Sequence, residues 1–318
     1  MKRIFLVFIV IFLGLSLESA YPYWIWTPKT GKWINPKTAV KATPKDQFDL
    51  AKSFYEAKNY EQAKREFRKL MKNYPKAAEA AESQYYLGLI EEAHGNLYEA
   101  FKSYQKVIDK YPFSERIAEI NEREFKIGEI FMAGGKAAKK GAGFLVENPA
   151  IEIFTKVVEN APYGPLASQA EYKLGMVLKG LLRLDEAEEA FNKVVTGYPE
   201  SEWASAAKFQ IASSRASLSK TADYDQGATK EAKQKFEEFV QEHPDVTLSQ
   251  EAQKNILQLS EKESESDFKI ARFYEKQKAF SAAKIYYEDI INNNPNSPWA
   301  ARAAERLQLL EKKNAPKK

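Results

Sequence analysis

Alanine and aromatic residues recur at fixed intervals before a series of prolines. Six prolines follow amphipathic segments: Pro75, Pro112, Pro162, Pro199, Pro244 and Pro295. Twelve residues before each proline stands an alanine: Ala63, Ala100, Ala150, Ala187, Ala232 and Ala283. Four residues after each alanine, one helical turn along the same face, comes an aromatic residue: Phe67, Tyr104, Phe154, Phe191, Phe236 and Tyr287. Because proline lacks an amide donor, each segment is predicted to be a helix that ends at its proline.

A second helix is predicted upstream of each alanine, and a small residue marks its position. These small residues are Ala51, Gly88, Gly128, Gly175, Ala212 and Ala271. Two antiparallel helices approach closely where small side chains face each other, so each pair predicts a helical hairpin. The aromatic residue of the second helix is then expected to fill the space between one hairpin and the next. The proline separations of 37, 50, 37, 45 and 51 residues indicate one repeated unit that carries insertions.

This pattern resembles the tetratricopeptide repeat (TPR) over residues 46–311. The resemblance implies an all-α fold, an α-solenoid of about six helix-turn-helix units wound into a right-handed superhelix with a concave inner surface. The units are expected near 46–75, 81–112, 121–162, 168–199, 203–244 and 250–295, with a C-terminal capping helix to residue 311 and a basic tail over 312–318. Residues 128–150 and 212–232 are longer than their counterparts and predict two loops on one rim. Residues 248–263 lack a helix breaker and predict one long helix that runs to about residue 277.

A third recurring position supplies candidate binding residues. An aromatic residue stands three residues before each small residue: Phe48, Tyr85, Phe125, Tyr172, Phe209 and Phe268. In TPR proteins this position lies on or near the concave wall, so the rings could line a groove for an extended or helical partner segment. The same rings could equally pack adjacent first helices together. The sequence leaves both interpretations open.

The segment before the repeats, residues 21–45, is the second binding candidate. It holds three of the five tryptophans, Trp24, Trp26 and Trp33, and Pro28 and Gly31 between them predict a short β-hairpin. Tryptophan and tyrosine favour partner surfaces and membrane interfaces, so the segment could dock on either. It could instead fold back and cap the first repeat, as solenoids require.

The N-terminus has the three-part arrangement of a secretory signal. Lys2 and Arg3 precede an uncharged apolar run over residues 4–17, and small residues follow at Ser19 and Ala20. Residues 1–20 are therefore predicted to direct export and to be cleaved near Ala20, with an uncleaved anchor as the alternative. The run is shorter than the roughly 20 residues that cross a bilayer as a helix.

Composition excludes several classes of function. The chain has no cysteine, which removes disulfides, thiolate metal sites and a thioether-linked lipid anchor. Without residues 1–20 it carries 46 basic and 43 acidic residues, a balance that does not predict nucleic-acid binding. Its two histidines, His94 and His243, fall at predicted helix ends and form no pair with metal-ligand spacing. No catalytic, cofactor or metal site is predicted, and we do not expect an enzyme.

The ends of the units carry a resemblance to one family of exported TPR proteins. They include Tyr111-Pro-Phe-Ser114 and Tyr198-Pro-Glu-Ser201, with Asn294-Pro-Asn-Ser297 as a variant. These motifs, and the order of elements over residues 232–295, resemble BamD, the TPR component of the bacterial machinery that inserts β-barrel proteins into the outer membrane. The family's members are usually lipoproteins anchored through a cysteine and usually have five repeats, whereas this chain has no cysteine and about six.

The resemblance implies a periplasmic, non-lipidated scaffold of outer-membrane assembly. Its implied partners are the barrel-inserting subunit and unfolded outer-membrane proteins, with peripheral association at the outer membrane. The alternative is another envelope adaptor, one that serves the Tol-Pal system or polysaccharide export.

Overall fold

The structure is a computed structural model that describes residues 24–28, 31–35, 39–134, 147–219, 226–244 and 247–314. The predicted signal, residues 1–20, lies outside these ranges, as do residues 135–146 and 220–225 of the two predicted rim loops. Among the described helices, none has the length and apolarity that a membrane span needs.

The described residues form thirteen helices and one two-stranded sheet, arranged as six helical hairpins and a final helix. The first helices of the hairpins are α1 (Pro44–Glu56), α3 (Ala78–Ala93), α5 (Ile117–Ala133), α7 (Ala167–Gly180), α9 (Glu202–Leu218) and α11 (Thr247–Lys276). The second helices are α2 (Tyr60–Asn73), α4 (Leu97–Lys110), α6 (Pro149–Asn160), α8 (Leu184–Gly197), α10 (Gln226–Glu242) and α12 (Phe280–Asn293). Helix α13 (Pro298–Asn314) follows the last hairpin. The predicted all-α fold class, an α-solenoid, is confirmed.

The chain forms two compact units. The first comprises residues 1–94 and 102–114, and the second comprises residues 95–101 and 115–318. In the first unit, α1, α2 and α3 pack on one another. In the second, consecutive helices pack pairwise from α5 to α13, and α13 also contacts α11. Helix α11 is 30 residues long and ends at Lys276, so the predicted long helix is confirmed.

Capping residues and prolines set the helix ends. Thr43 caps α1 by accepting a hydrogen bond from the Asp46 amide at 3.1 Å, and Asn148 caps α6 by accepting one from the Ala150 amide at 3.0 Å. A proline occupies the first helical position after each cap, where the missing amide donor costs nothing. At the other end, the residue before the repeat proline leaves the helical region, as at Tyr74, whose φ is −129° and ψ 54°.

In the four units without an insertion, one residue of the turn between the two helices has a left-handed backbone conformation. It lies five residues before the repeat alanine, and its occupants are Lys58 (φ 58°), Gly95 (φ 75°), Leu182 (φ 61°) and Lys278 (φ 61°). Glycine enters this region freely, whereas the other side chains are strained there. The shared conformation explains why these four turns have the same length.

The repeat alanines and their aromatic partners form the centre of each hairpin. All six alanines and all six aromatic residues of the second helices have a relative exposure of 0%. A Cβ on Gly88, Gly128 or Gly175 would collide with the ring of its own hairpin's aromatic residue. In these three hairpins the expectation that the ring fills the space between hairpins is wrong, because the ring occupies a hole that the glycine opens inside its own hairpin. Phe67 also reaches outward and stacks on Tyr86 of α3 with centroids 5.2 Å apart.

Candidate functional site

The recurring aromatic residues of the first helices all lie against the second helix of their own hairpin. Each ring stands 5.5–5.7 Å, centroid to centroid, from the aromatic residue four positions after the repeat alanine. The pairs are Phe48 with Phe67, Tyr85 with Tyr104, Phe125 with Phe154, Tyr172 with Phe191, Phe209 with Phe236, and Phe268 with Tyr287. Tilted and edge-on pairs at these distances stabilise the contact beyond simple burial.

Four of these rings also contact the helix that follows their hairpin. Phe48 meets Tyr86 of α3 edge-on at 5.6 Å, Tyr172 meets Trp203 of α9 at 5.0 Å, and Phe268 meets Trp299 of α13 at 5.4 Å. The ring of Phe125 lies 5.8 Å from Nζ of Lys173 in α7, within cation–π range. These four rings therefore lie between their own hairpin and the helix that follows it.

Burial separates the six rings into two groups. Tyr85, Phe125 and Phe209 are only 3%, 6% and 5% exposed, while Phe48, Tyr172 and Phe268 are half-buried. The six rings thus pack inside their own hairpins, which is one of the two interpretations that the sequence left open. A groove lined by these rings stays a prediction.

A recurring polar position, which sequence reasoning missed, precedes each of these rings. Its occupants are Gln47, Gln84, Glu124, Glu171, Lys208 and Asp267, and the first four are buried. Gln47 and Gln84 each donate a side-chain hydrogen bond to a backbone carbonyl of the second helix, that of Glu66 at 3.3 Å and that of Ser103 at 3.0 Å. The sequence signal for this position was a polar residue directly before each of the six rings. Gln47 and Gln84 thus join the two helices of their hairpins.

Two acids of this polar series ionise with difficulty. Burial raises the pKa of Glu171, partly offset by the charge of Lys193, and Oε1 of Glu171 accepts no hydrogen bond from the described residues. Burial also raises the pKa of Asp267, and the neighbouring charge of Asp289 adds to the effect.

Both histidines lie at helix ends and pack against aromatic rings. His94 ends α3 and packs edge-on against Tyr60 at 5.2 Å, and His243 follows α10 and packs against Phe239 at 5.2 Å. In the part of the chain that the structure covers, His, Asp and Glu side chains form no group of three that could hold a metal ion.

The predicted β-hairpin of the leader is present. Strands β1 (Ile25–Thr27) and β2 (Lys32–Ile34) pair antiparallel, with Trp26 opposite Trp33. Trp24, Trp26 and Trp33 are 58%, 47% and 62% exposed, so the first repeat does not bury them. The chain after the hairpin is tied to the array, because the Lys41 carbonyl accepts a hydrogen bond from the Tyr74 hydroxyl at 2.6 Å and the Lys41 amide donates to Gln47 at 2.9 Å.

A second exposed apolar surface lies on the last hairpin. Phe273 of α11 is 58% exposed and contacts Tyr274, which stacks on Tyr286 of α12 with centroids 5.7 Å apart. Ile285, the neighbour of Tyr286 in the chain, is 66% exposed. We call Phe273, Tyr274, Ile285 and Tyr286 the C-terminal patch. A contiguous exposed apolar surface is typical of a protein-binding site.

Three family models match separate stretches of the chain. The model described as outer membrane lipoprotein, YfiO, matches residues 214–317, and two tetratricopeptide-repeat models match residues 48–115 and 169–201. The chain therefore carries tetratricopeptide repeats and a C-terminal region that is similar to the outer membrane lipoprotein family. Helices α10 to α13, and with them the C-terminal patch, fall inside the outer membrane lipoprotein match.

Solved TPR structures are similar to the chain at low identity. The C-terminal part of a TPR repeat-containing protein from Cytophaga hutchinsonii is 19% identical, with 82% of this chain and 87% of that one covered and a TM-score of 0.35. A TPR protein from Parabacteroides merdae is 14% identical, with 84% and 98% covered and a TM-score of 0.33. PilF from Pseudomonas aeruginosa is 15% identical, with 83% and 97% covered and a TM-score of 0.30. No curated protein matches the chain.

Proposed function

We propose that this TPR protein is a non-catalytic scaffold of the cell envelope that takes part in assembling outer-membrane β-barrel proteins. The observation that carries the proposal is the match of residues 214–317 to the outer membrane lipoprotein family. TPR and BamD-like proteins generally act by binding other proteins rather than by catalysis. The proposed partner is the barrel-inserting subunit, with unfolded outer-membrane proteins as further clients, and the proposed location is the periplasmic side of the outer membrane.

The C-terminal patch is the proposed docking surface for that subunit. It lies within the matched region, and Phe273 and Ile285 expose more than half of their surface to solvent. The hairpin beneath them is held by its own core, which includes the fully buried Ala271, Ala283 and Tyr287. Substitutions at Phe273 and Ile285 should therefore change binding without unfolding the hairpin.

The test is affinity purification of the tagged chain from outer-membrane extracts. We expect the wild-type chain to recover the barrel-inserting subunit, and the double variant F273K/I285K to recover roughly tenfold less, the effect of about 1.4 kcal/mol. Leu182 is 80% exposed and lies outside the matched region, so L182K is the matched control and should recover the subunit as the wild type does.

Three outcomes contradict the proposal in different ways. Recovery of Tol-Pal or polysaccharide-export proteins in place of the barrel-inserting subunit would assign the chain to another envelope adaptor class. Recovery of no envelope protein would reject the scaffold itself. Equal losses in F273K/I285K and L182K would leave the scaffold standing and reject the C-terminal patch as its docking surface.

A further inference from the structure

The tryptophans of the leader's hairpin, residues 24–34, are more exposed than those of the helical array. The two tryptophans of the array are packed, Trp203 against Tyr172 and Trp299 against Phe268. The three of the hairpin are about half exposed. A hairpin of two three-residue strands is too small to form a core of its own. Among the described residues, none buries this apolar surface.

The strand register brings two indole rings together. Trp26 and Trp33 stand opposite each other, and their ring centroids are 5.7 Å apart. Trp24 directly precedes β1 and is 58% exposed. The hairpin therefore presents a pair of tryptophans on one face, with a third exposed tryptophan at its start.

The charge of the leader indicates what this face binds. Residues 21–45 contain five lysines and no aspartate or glutamate, in a chain whose charges are otherwise nearly balanced. Indole rings favour the headgroup region of a bilayer, where an apolar body and an N–H donor are both satisfied. Lysines near an anionic membrane surface add an attraction of their own. A segment that is rich in tryptophan and lysine and has no acidic residue matches an anionic phospholipid surface better than a protein surface of unspecified charge.

We infer that the tryptophan hairpin docks on an anionic phospholipid surface and holds the array at a membrane by its indole rings. This inference rests on one part of the proposed function, namely that the chain is exported to the cell envelope. It does not depend on the identity of the protein partner.

The test uses the chain from Tyr21 onward and protein-free vesicles, one set of phosphatidylcholine alone and one of equal parts phosphatidylcholine and phosphatidylglycerol. We expect sedimentation with the anionic vesicles, a blue shift of tryptophan emission on binding, and quenching of that emission by brominated lipid. The triple variant W24A/W26A/W33A should bind the anionic vesicles at least roughly tenfold more weakly. High salt should weaken wild-type binding because it screens the lysines.

Two further variants separate lipid binding from damage to the fold. W24A lies outside both strands and leaves the Trp26 and Trp33 pair intact, and it should weaken binding by roughly threefold. F113A/Y163A removes two aromatic side chains that are 98% and 99% exposed elsewhere in the chain, and it should bind vesicles as the wild type does.

Four results would overturn the inference. These are the absence of binding to anionic vesicles, equal binding to neutral vesicles, undiminished binding by the triple variant, and an equal loss in F113A/Y163A. If one of these results is found and the hairpin also captures an envelope protein in the absence of lipid, its exposed face binds a protein partner instead. Because the vesicles contain no protein, failure here is independent of whether the barrel-inserting subunit is recovered by affinity purification.

Discussion

The ring of Phe191 occupies the space where a side chain on Gly175 would lie. An ideal Cβ on Gly175 of α7 would stand 2.5 Å from Cε1 of Phe191 in α8. Real Cβ atoms essentially never come so close to another heavy atom, so the two helices can approach this closely only with glycine at this position. Gly128 and Phe154 repeat the relationship in the preceding hairpin, where the corresponding distance is 2.7 Å.

We expect Gly175→Ala to lower the free energy of unfolding by roughly 1–3 kcal/mol, because the added methyl group overpacks a filled hole. The measurement is urea denaturation followed by circular dichroism. Gly180 ends the same helix and has no heavy atom within 4 Å of its ideal Cβ, so Gly180→Ala is the matched control. It should be neutral or stabilise by up to about 1 kcal/mol. Phe191→Leu should partly rescue Gly175→Ala, and strictly additive losses would contradict this packing.

Glu171→Gln should stabilise the protein at neutral pH and have little effect in acid. Burial raises the pKa of Glu171 above its usual value of 4.5, so the folded state holds this proton more tightly than the unfolded state. Its contribution is therefore fully present below about pH 4.5 and is lost as the pH rises through the folded pKa. Above that pKa the glutamine variant should be more stable by on the order of 1 kcal/mol.

Denaturation midpoints of this variant at pH 4 and pH 7 provide the measurement. Glu189→Gln is the control, since Glu189 is exposed and pairs with the same Lys193 at 3.2 Å. Its effect should be close to zero at both pH values. A Glu171→Gln variant that is less stable than the wild type at pH 7 would mean that the Lys193 charge outweighs burial.

Arg306→Gln should loosen the final helix. Arg306 of α13 pairs with Glu275 of α11, and its Nε donates to Oε2 of Glu275 at 3.2 Å. Burial alone would raise the pKa of Glu275, but hydrogen bonds from Arg306 and Tyr287 and the charges of Arg306 and Arg272 hold it below 4.5. Removing Arg306 leaves a largely buried carboxylate with fewer partners, at a cost of roughly 1–3 kcal/mol.

Hydrogen exchange of the α13 amides, read by mass spectrometry, measures this loosening directly. Because the pKa of folded Glu275 is depressed, the stability it contributes is present above about pH 4.5 and is lost as the pH falls through the folded pKa. Protection of α13 in the wild type should therefore decline in acid, and the decline should be smaller in Arg306→Gln. Faster exchange spread evenly over all helices would argue against a local role.

Deletion of residues 21–38 should leave the thermal stability of the array nearly unchanged. The three tryptophans it removes are about half exposed, while the hydrogen bonds of Lys41 to Tyr74 and Gln47 remain. Deletion of residues 21–43 is the matched comparison, because it also removes those bonds and the Thr43 cap of α1. We expect a loss of roughly 1–3 kcal/mol from the longer deletion only. A large drop in the melting temperature with the shorter deletion would mean that the hairpin caps the array.

The spacing of residues predicted much of the fold. Alanine, aromatic residue and proline at fixed intervals identified six hairpins and their ends, because helix periodicity and the missing amide of proline act locally. The left-handed turn position was not predicted, because lysine, leucine and glycine occupy it in different units. The polar position before each ring was not predicted, because the spacing of residue types does not indicate whether a polar side chain can hydrogen-bond to a backbone carbonyl inside the hairpin.

The sequence alone determined the all-α repeat, the long helix of the last unit and the hairpin between the tryptophans. Those features depend on local propensity and on patterns with a short period. Only the tertiary structure decided that the rings of the first helices pack inside their own hairpins and that Trp24, Trp26 and Trp33 stay exposed. Burial is a property of the whole packing, since a ring is covered or left open by helices that are distant in the chain.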